Sequence, residues 1–302
     1  MGRIQDAVVV GARTVRRMPL PRPLYTHTVR EARRPLPPGA VQKRHAIDTE
    51  MVGRTRCLWL DRHRADEGVI VHLHSGAYVS GPFSGDWAWL SAQADARGCA
   101  GLMIDYRVAP DHQHPVALDD TEAVLAQLAE QGVLAGGWIL AGHNAGAGMA
   151  LAIARRLRDG EGALAGVPAP DLIVAMSPWL DLELGTTGIS ETGQRDFPHE
   201  RRLLLHAARA YAGRTPLSDP DLSPVNAPLA GLPPVHLSVG EKDIFLSDAR
   251  VARLQLEEAG LPITYREIPG RLTMMPGMRR GESMGRLLRE QSAAIADALA
   301  RD

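Results

Sequence analysis

The residues Ile139-Leu140-Ala141-Gly142-His143-Asn144-Ala145-Gly146-Ala147-Gly148 decide the fold, because an apolar run passes through a glycine turn into a helical pattern. The apolar run predicts a buried strand, and the residues after it show apolar side chains three or four positions apart, which is typical of a helix. A sharp strand-to-helix turn exposes one side chain at the helix N-terminus, as in a GxSxG nucleophile elbow. Asn144 stands at that central position.

The same alternation of short β-prone runs and longer helical runs continues on both sides of this turn. Strands are predicted over residues 56–60, 69–74, 100–105, 138–141, 172–176, 235–239 and 263–268. Helices are predicted over residues 87–97, 116–130, 145–158, 201–211, 246–259 and 285–300. This pattern predicts the α/β class, with a mostly parallel central sheet and helices on both of its faces.

Two segments depart from the alternation and are predicted to form a small cap. Residues 1–45 are rich in proline and arginine without a sustained period, which indicates an N-terminal cap segment. Residues 183–215 interrupt the pattern and are interpreted as a cap insertion over the sheet edge where ligands bind in such folds. The domain itself is predicted to span residues 46–302.

Composition excludes several classes of function. The chain has 302 residues, of which 45% are hydrophobic, and its net charge is −1. Its overall charge therefore creates no electrostatic attraction to nucleic acid or to an anionic membrane. Its two cysteines cannot build a disulfide framework. The apolar stretch at residues 7–12 is too short for a signal peptide or a membrane span, so we expect a cytoplasmic protein. The arginine-rich composition hints at a bacterial source.

Six motifs, one of which is the glycine turn described above, occur in a fixed order along the chain. They are HSGAY (74–78), DYRVAP (105–110), GHNAGA (142–147), SPWLDL (177–182), LSPVNAPLAGLPP (222–234) and VGEKDIFLSD (239–248). As an ordered set they resemble the hormone-sensitive-lipase family of α/β-hydrolases, over roughly residues 47–300. The resemblance implies the α/β-hydrolase fold, carboxylesterase or lipase activity, and a small cap.

The sequence departs from that family at the residues that perform catalysis. The resemblance implies a serine at position 144, the acid at Asp243, and a histidine at position 273. In this sequence the nucleophile position holds Asn144 and the histidine position holds Thr273, and no histidine follows His236. A carboxamide is a poor nucleophile and a threonine hydroxyl does not carry protons near neutral pH. The sequence therefore predicts that the Ser-His-Asp triad has been lost.

Several groups at this sheet edge remain candidates for chemistry. Without an imidazole partner, a buried Asp243 is expected to have a raised pKa, which suits a proton carrier. His143 is the titratable neighbour of the elbow, and the backbone N–H groups of Ser75, Gly76 and Ala145 are expected to form a hole that stabilises an anion. The predicted catalytic residues are Asn144, Asp243, His143 and Thr273. The predicted substrate-binding residues are His74, Ser75, Gly76, Ala77, Ala145 and Met274.

Three functions are open at this point. The leading hypothesis is a non-hydrolytic enzyme that performs an elimination, isomerisation or cyclisation on an apolar, carbonyl-bearing metabolite, in bacterial specialised metabolism. The alternatives are a ligand- or partner-binding pseudoenzyme, and a residual carboxylesterase with a different nucleophile. Two HxH pairs, His72 with His74 and His112 with His114, could in principle bind a metal, but a closed site needs three or four converging ligands, so no metal or cofactor is expected. The family resemblance also suggests a homodimer.

Overall fold

An eight-stranded sheet forms the centre of the structure, a computed structural model that describes residues 35–185, 198–271 and 282–300. The strands are β1 (Ile47–Val52), β2 (Thr55–Leu60), β3 (Val69–Leu73), β4 (Ala100–Asp105), β5 (Trp138–His143), β6 (Leu172–Met176), β7 (Val235–Gly240) and β8 (Ile263–Ile268). Their order across the sheet is β1-β2-β4-β3-β5-β6-β7-β8. Pairing is antiparallel from β1 through β2 to β4 and parallel from there to β8. The predicted α/β architecture is confirmed.

Helices cover both faces of this sheet. They are α1 (Gly39–Gln42), α2 (Ser84–Arg97), α3 (Val116–Glu130), α4 (Ala145–Asp159), α5 (Pro198–Ala212), α6 (Leu246–Glu258) and α7 (Glu282–Leu299). Short 3₁₀ turns lie at Arg62–Glu67, Gly162–Leu164 and Pro224–Asn226. Apolar side chains of α3, α4 and α6 share one core with one face of the sheet, whereas those of α1, α2 and α7 share a second core with the other face.

Strands β3, β5 and β6 are buried along their whole length, as expected for parallel strands covered on both faces. Because the parallel strands run in one direction, the loops that follow them meet at one edge of the sheet, called here the carboxyl edge. In the three described stretches, no helix is long and apolar enough to cross a membrane.

The structure corrects some predicted boundaries. Strand β1 was not predicted, since Ile47–Val52 mixes charged and apolar residues and buries only Val52 fully. Such a pattern suits an edge strand that pairs on one side. Strand β5 also runs two residues further than predicted, as far as His143, because its pairing with β6 continues to the pair His143 and Met176.

Only part of the predicted cap lies within the described residues. Helix α5 belongs to the insertion and packs at the carboxyl edge, where the Tyr211 ring stacks on Tyr78 at 4.0 Å. The N-terminal cap segment up to residue 34 and residues 186–197 of the insertion lie outside the described residues. The proposed division at residue 45 stays a prediction.

A hydrogen-bonded chain of polar side chains ties the start of the fold to its core, at the end of the sheet opposite the carboxyl edge. The His45 Nδ1 atom lies 2.7 Å from Asp61 Oδ2, and His45 Nε2 lies 2.8 Å from the Ser91 Oγ atom. The Ala46 amide also donates to Asp61, at 2.8 Å. The side chains of His45, Asp61 and Ser91 are all buried. They join the segment before β1 to the end of β2 and to α2.

Candidate active site

Asn144 sits in a strained turn between β5 and α4. Its φ of 49° and ψ of −109° lie outside the usual regions, and asparagine tolerates a positive φ better than most residues. The turn is tight because a Cβ on Gly142 would come within 2.3 Å of the Gly146 carbonyl oxygen. The backbone N–H of Asn144 donates to the Met176 carbonyl at 3.0 Å, which fixes the turn to the end of β6. The predicted elbow is therefore present.

Glycines in the elbow also let α4 approach its neighbours closely. A Cβ on Gly146 would lie 2.0 Å from the Leu73 carbonyl oxygen, at the end of β3. Two residues later, a Cβ on Gly148 would lie 2.2 Å from the Trp179 carbonyl oxygen. The N-terminus of α4 is thus pressed against the loop after β3 and against the loop after β6.

Three backbone N–H groups at this junction are available to a ligand. Gly76 and Ala77 lie in the loop after β3, and Ala145 is the first residue of α4. Among the described residues, none of their amide hydrogens has a hydrogen-bond acceptor. N–H groups in such a loop and at a helix N-terminus can stabilise the negative oxygen of a tetrahedral intermediate. We call Gly76, Ala77 and Ala145 the amide hole.

The sequence-based inference that the Ser75 amide contributes to this hole is wrong. The Ser75 N–H donates to Asp86 Oδ1 at 3.1 Å, and the Ser75 hydroxyl donates to Asp86 Oδ2 at 3.0 Å. Both donors are therefore occupied inside the protein. Ser75 supports the loop after β3, and Ala77 presents a second loop amide in its place.

His74 also acts on the loop. Its ring is fully buried and stacks on the Tyr106 ring, with 3.9 Å between centroids. The Tyr106 hydroxyl donates to the His74 carbonyl at 2.7 Å, and His74 Nδ1 lies 2.8 Å from the Ser75 carbonyl oxygen. These contacts shape the loop and hold the ring inside the protein.

Asn144 is linked to Asp243 through Ser177, a residue not singled out from the sequence. The Asn144 side-chain Nδ2 donates to the Ser177 carbonyl at 3.0 Å. The Ser177 hydroxyl donates to Asp243 Oδ2 at 2.6 Å, and the Phe245 amide donates to Asp243 Oδ1 at 3.1 Å. The structure thus brings together two of the four predicted catalytic residues. The signal in the sequence was the position of Ser177 at the start of the SPWLDL motif.

His143 lies on the opposite side of the sheet from α4. Side chains alternate along a strand, and His143 shares its face with Ile139 and Ala141, which pack in the core with α2 and α7. The residue is 3% exposed, and neither ring nitrogen has a hydrogen-bond partner among the described residues. Burial lowers the pKa of His143 to about 3. A neutral, buried imidazole on this face is a poor proton carrier for a ligand at Asn144.

Aromatic rings form a wall beside the elbow. Tyr78, at the end of the amide-bearing loop, stacks on Tyr211 and lies 6.3 Å from the Trp179 ring. The Trp179 ring in turn stacks on Phe245 at 5.7 Å. All four side chains are buried. This wall gives the carboxyl edge an apolar lining, although the predicted apolar substrate itself stays a prediction.

Two predicted site residues, Thr273 and Met274, lie outside the described residues. Within the described part of the chain, no group of three or more His, Cys, Asp or Glu side chains is arranged to hold a metal ion.

Comparison with known proteins extends these findings. The alpha/beta hydrolase fold family matches residues 70–273. An acetyl-hydrolase of Streptomyces hygroscopicus is 34% identical over 222 residues, which cover 74% of this chain and 73% of that protein. An esterase of Acinetobacter venetianus is 30% identical over 207 residues, which cover 67% of this chain and 65% of that protein.

A solved structure supports the same fold and the same family. The crystal structure of an esterase from the bacterial hormone-sensitive lipase family superimposes with a TM-score of 0.75 at 26% identity, covering 97% of this chain and 95% of that one. The resemblance inferred from the motifs is confirmed. The names of the relatives favour the hydrolase alternative over elimination, isomerisation or cyclisation.

Proposed function

Because the chain belongs to the α/β hydrolase fold family, with hormone-sensitive-lipase-like esterases as relatives, we propose that it binds acyl esters and hydrolyses them slowly, with water as the direct nucleophile. One observation carries this proposal. Three unpartnered amides of the amide hole lie beside an elbow whose side chain, Asn144, cannot form an acyl-enzyme. The named activity of the relatives supports the substrate class.

In the proposed reaction the ester carbonyl oxygen lies in the amide hole. As water attacks the carbonyl carbon, negative charge develops on that oxygen, and the N–H groups of Gly76, Ala77 and Ala145 stabilise it. The N-terminal end of the α4 dipole adds to this stabilisation. The water oxygen forms the new bond to carbon, the bond from carbon to the alcohol oxygen breaks, and the products are an acid and an alcohol.

Asp243 is the base that we assign to this step. It is the acid implied by the family resemblance, and only Ser177 separates it from Asn144 in the hydrogen-bonded chain described above. Because Asp243 is fully buried, one proton of the attacking water reaches its carboxylate through the Ser177 hydroxyl and returns by the same route to the departing alcohol oxygen. Protons therefore balance over the cycle without a histidine.

Water attack sets the expected rate. Loss of the serine or the histidine of a Ser-His-Asp triad lowers turnover by about 10⁶, and what remains is about 10³–10⁴ above the uncatalysed reaction, supplied by the oxyanion hole and binding. Asn144 does not restore the nucleophile, and its Nδ2 is committed to the Ser177 carbonyl. We therefore expect the oxyanion hole and binding to supply an acceleration of about 10³–10⁴ and Asp243 to add about 10², without a covalent intermediate.

A second candidate is the recognition of a carbonyl-bearing metabolite without hydrolysis, either as a non-hydrolytic enzyme or as a binding protein. The observation that favours it is the same Asn144 hydrogen bond, which orients the carboxamide as a fixed polar group. Such a group suits recognition of a ligand oxygen or nitrogen more than chemistry on an ester.

Hydrolysis of p-nitrophenyl acetate and butyrate by the purified protein separates these candidates. Slow hydrolysis at a constant rate from the first turnover, with about hundred-fold loss in an Asp243→Asn variant, is the expected result. A rapid initial burst would overturn direct attack by water in favour of a nucleophilic side chain. A rate equal to that of buffer alone would overturn the hydrolase proposal in favour of recognition without hydrolysis.

The buried chain Asp61–His45–Ser91 calls for a control, because it joins a carboxylate, an imidazole and a hydroxyl in the order used by serine hydrolases. A Ser91→Ala variant should hydrolyse both esters at the rate of the unmodified protein. A large loss of rate in this variant would move the activity away from the amide hole.

A further inference from the structure

A single buried carboxylate holds the loop that carries two amides of the amide hole. Asp86 is fully buried in the first turn of α2. Its oxygens accept hydrogen bonds from the Ser75 amide at 3.1 Å, the Ser75 hydroxyl at 3.0 Å and the Phe83 amide at 2.9 Å. His72 Nε2, on β3, lies 3.3 Å from Asp86 Oδ1. The carboxylate thus joins β3, the loop after it and α2.

The positions of these donors matter more than their number. Ser75 and Phe83 stand near the two ends of the loop that connects β3 to α2, and Gly76 and Ala77 lie between them. The two ends are therefore tied to one another through Asp86. Inside the loop, the Val79 and Ser80 amides donate to the Gly76 carbonyl, which forms a tight turn. The direction of the Gly76 and Ala77 amides depends on both sets of bonds.

Asp86 is suited to this role as an ionised group. Burial raises the pKa of Asp86, but it is opposed chiefly by the hydrogen bond with His72, and the net effect holds the pKa well below its usual value. An ionised carboxylate only accepts hydrogen bonds, so it satisfies backbone N–H and hydroxyl donors at the same time. A carboxamide of the same shape would place its NH₂ group against at least one of these donors.

We propose that Asp86 is a positioning residue for the amide hole: by tying Ser75 to Phe83 it fixes the Gly76 and Ala77 amides where an ester oxygen becomes negative. This inference rests on the proposed function of the hole as an ester site. Asp86 does not touch the substrate, and it acts through the loop.

The test compares Asp86→Asn with a matched control, Asp61→Asn. Asp61 is also a buried carboxylate that receives a histidine ring nitrogen and a backbone amide, but it lies at the opposite end of the sheet. Loss of one oxyanion-hole donor lowers kcat by about 10²–10³. We expect Asp86→Asn to lower kcat for p-nitrophenyl acetate by at least about tenfold with little change in KM, whereas Asp61→Asn keeps kcat within about twofold.

Hydrogen exchange of the intact protein, followed by mass spectrometry, gives a readout that does not need activity. Peptides covering residues 74–83 should exchange faster in Asp86→Asn and remain unchanged in Asp61→Asn. If Asp86→Asn does not fold, Ser75→Ala removes only the hydroxyl bond to Asp86, and a smaller change in the same direction is expected in both readouts.

The outcomes separate this inference from the proposed function. A protein that does not hydrolyse esters would reject the proposed function, while faster exchange of residues 74–83 in Asp86→Asn would still support the positioning role. Unchanged exchange of those residues in folded Asp86→Asn, or an unchanged kcat in an active protein, would overturn the positioning role of Asp86.

Discussion

Acid should destabilise this protein in a pH range set by two buried histidines. His143 and His236 are 3% and 1% exposed, and none of their ring nitrogens has a hydrogen-bond partner among the residues that the structure describes. Burial lowers the pKa of His143 to about 3 and that of His236 to about 4, from an ordinary value of 6.5. Both rings are therefore neutral in the folded protein and become charged on unfolding in mild acid.

The direction and size of the effect follow from these pKa values. When the folded pKa lies below the unfolded one, the unfolded state binds more protons, so stability is retained above pH 6.5 and falls as the pH drops below it. Between pH 7.5 and pH 5.0 the unfolded ring gains most of a proton and the folded ring gains almost none. Over this pH range the free energy of unfolding therefore falls by about 2 kcal/mol for each histidine, or by about 4 kcal/mol for the two together.

Urea unfolding at pH 7.5 and pH 5.0, followed by far-ultraviolet circular dichroism, measures this loss. The window lies above the ordinary pKa values of the carboxyl groups, so aspartate and glutamate contribute little to it. His114, whose pKa burial also lowers, adds a further loss in the same direction. The control is a His143→Gln/His236→Gln double variant, in which the difference between the two pH values should shrink by about 4 kcal/mol. An equal pH dependence in both proteins would refute the reasoning.

Two further substitutions test the packing and the ion pairs of the fold by urea unfolding at pH 7.5. Gly146→Ala should lose about 3 kcal/mol or more, because its Cβ would lie 2.0 Å from the Leu73 carbonyl oxygen, whereas Gly39→Ala, with open space around it, should change little. Asp120→Ala should lose about 3 kcal/mol, because it removes a buried carboxylate that receives the Arg107 guanidinium and the Arg107 amide. Equal stabilities of Gly146→Ala and Gly39→Ala, or a loss under about 1 kcal/mol in Asp120→Ala, would contradict these contacts.

The sequence predicted the parallel part of the sheet chiefly because its inner strands β3 to β6 are mostly apolar along their length. It did not predict β1, where a run of three polar residues separates Ile47 from Met51 and Val52 and breaks the alternation typical of a strand. Edge strands of this kind are defined by pairing with a neighbour, which a single sequence does not display.

The elbow and Asp243 were also predictable, since their motifs are local. The roles of Ser75 and Asp86 were not, because the two residues are eleven positions apart and meet only when the loop after β3 folds back onto α2. Likewise, the face to which the His143 ring points depends on the exact end of β5. The sequence located the residues of the site, and the folded loops determined which of their donors are available.

The central claim is that the ester site remains while the nucleophile at position 144 is missing. Its most direct test is intact-mass measurement after treatment with a fluorophosphonate, in three proteins: the unmodified protein, Asn144→Ser, and Asn144→Ser/Thr273→His. The unmodified protein and the single variant should show no adduct at position 144, because neither has an imidazole to activate a hydroxyl. The double variant, which carries the residues implied by the family resemblance, should gain one adduct there and hydrolyse p-nitrophenyl acetate with an initial burst. A stoichiometric adduct on the unmodified protein, or a folded double variant that gains neither, would contradict the account.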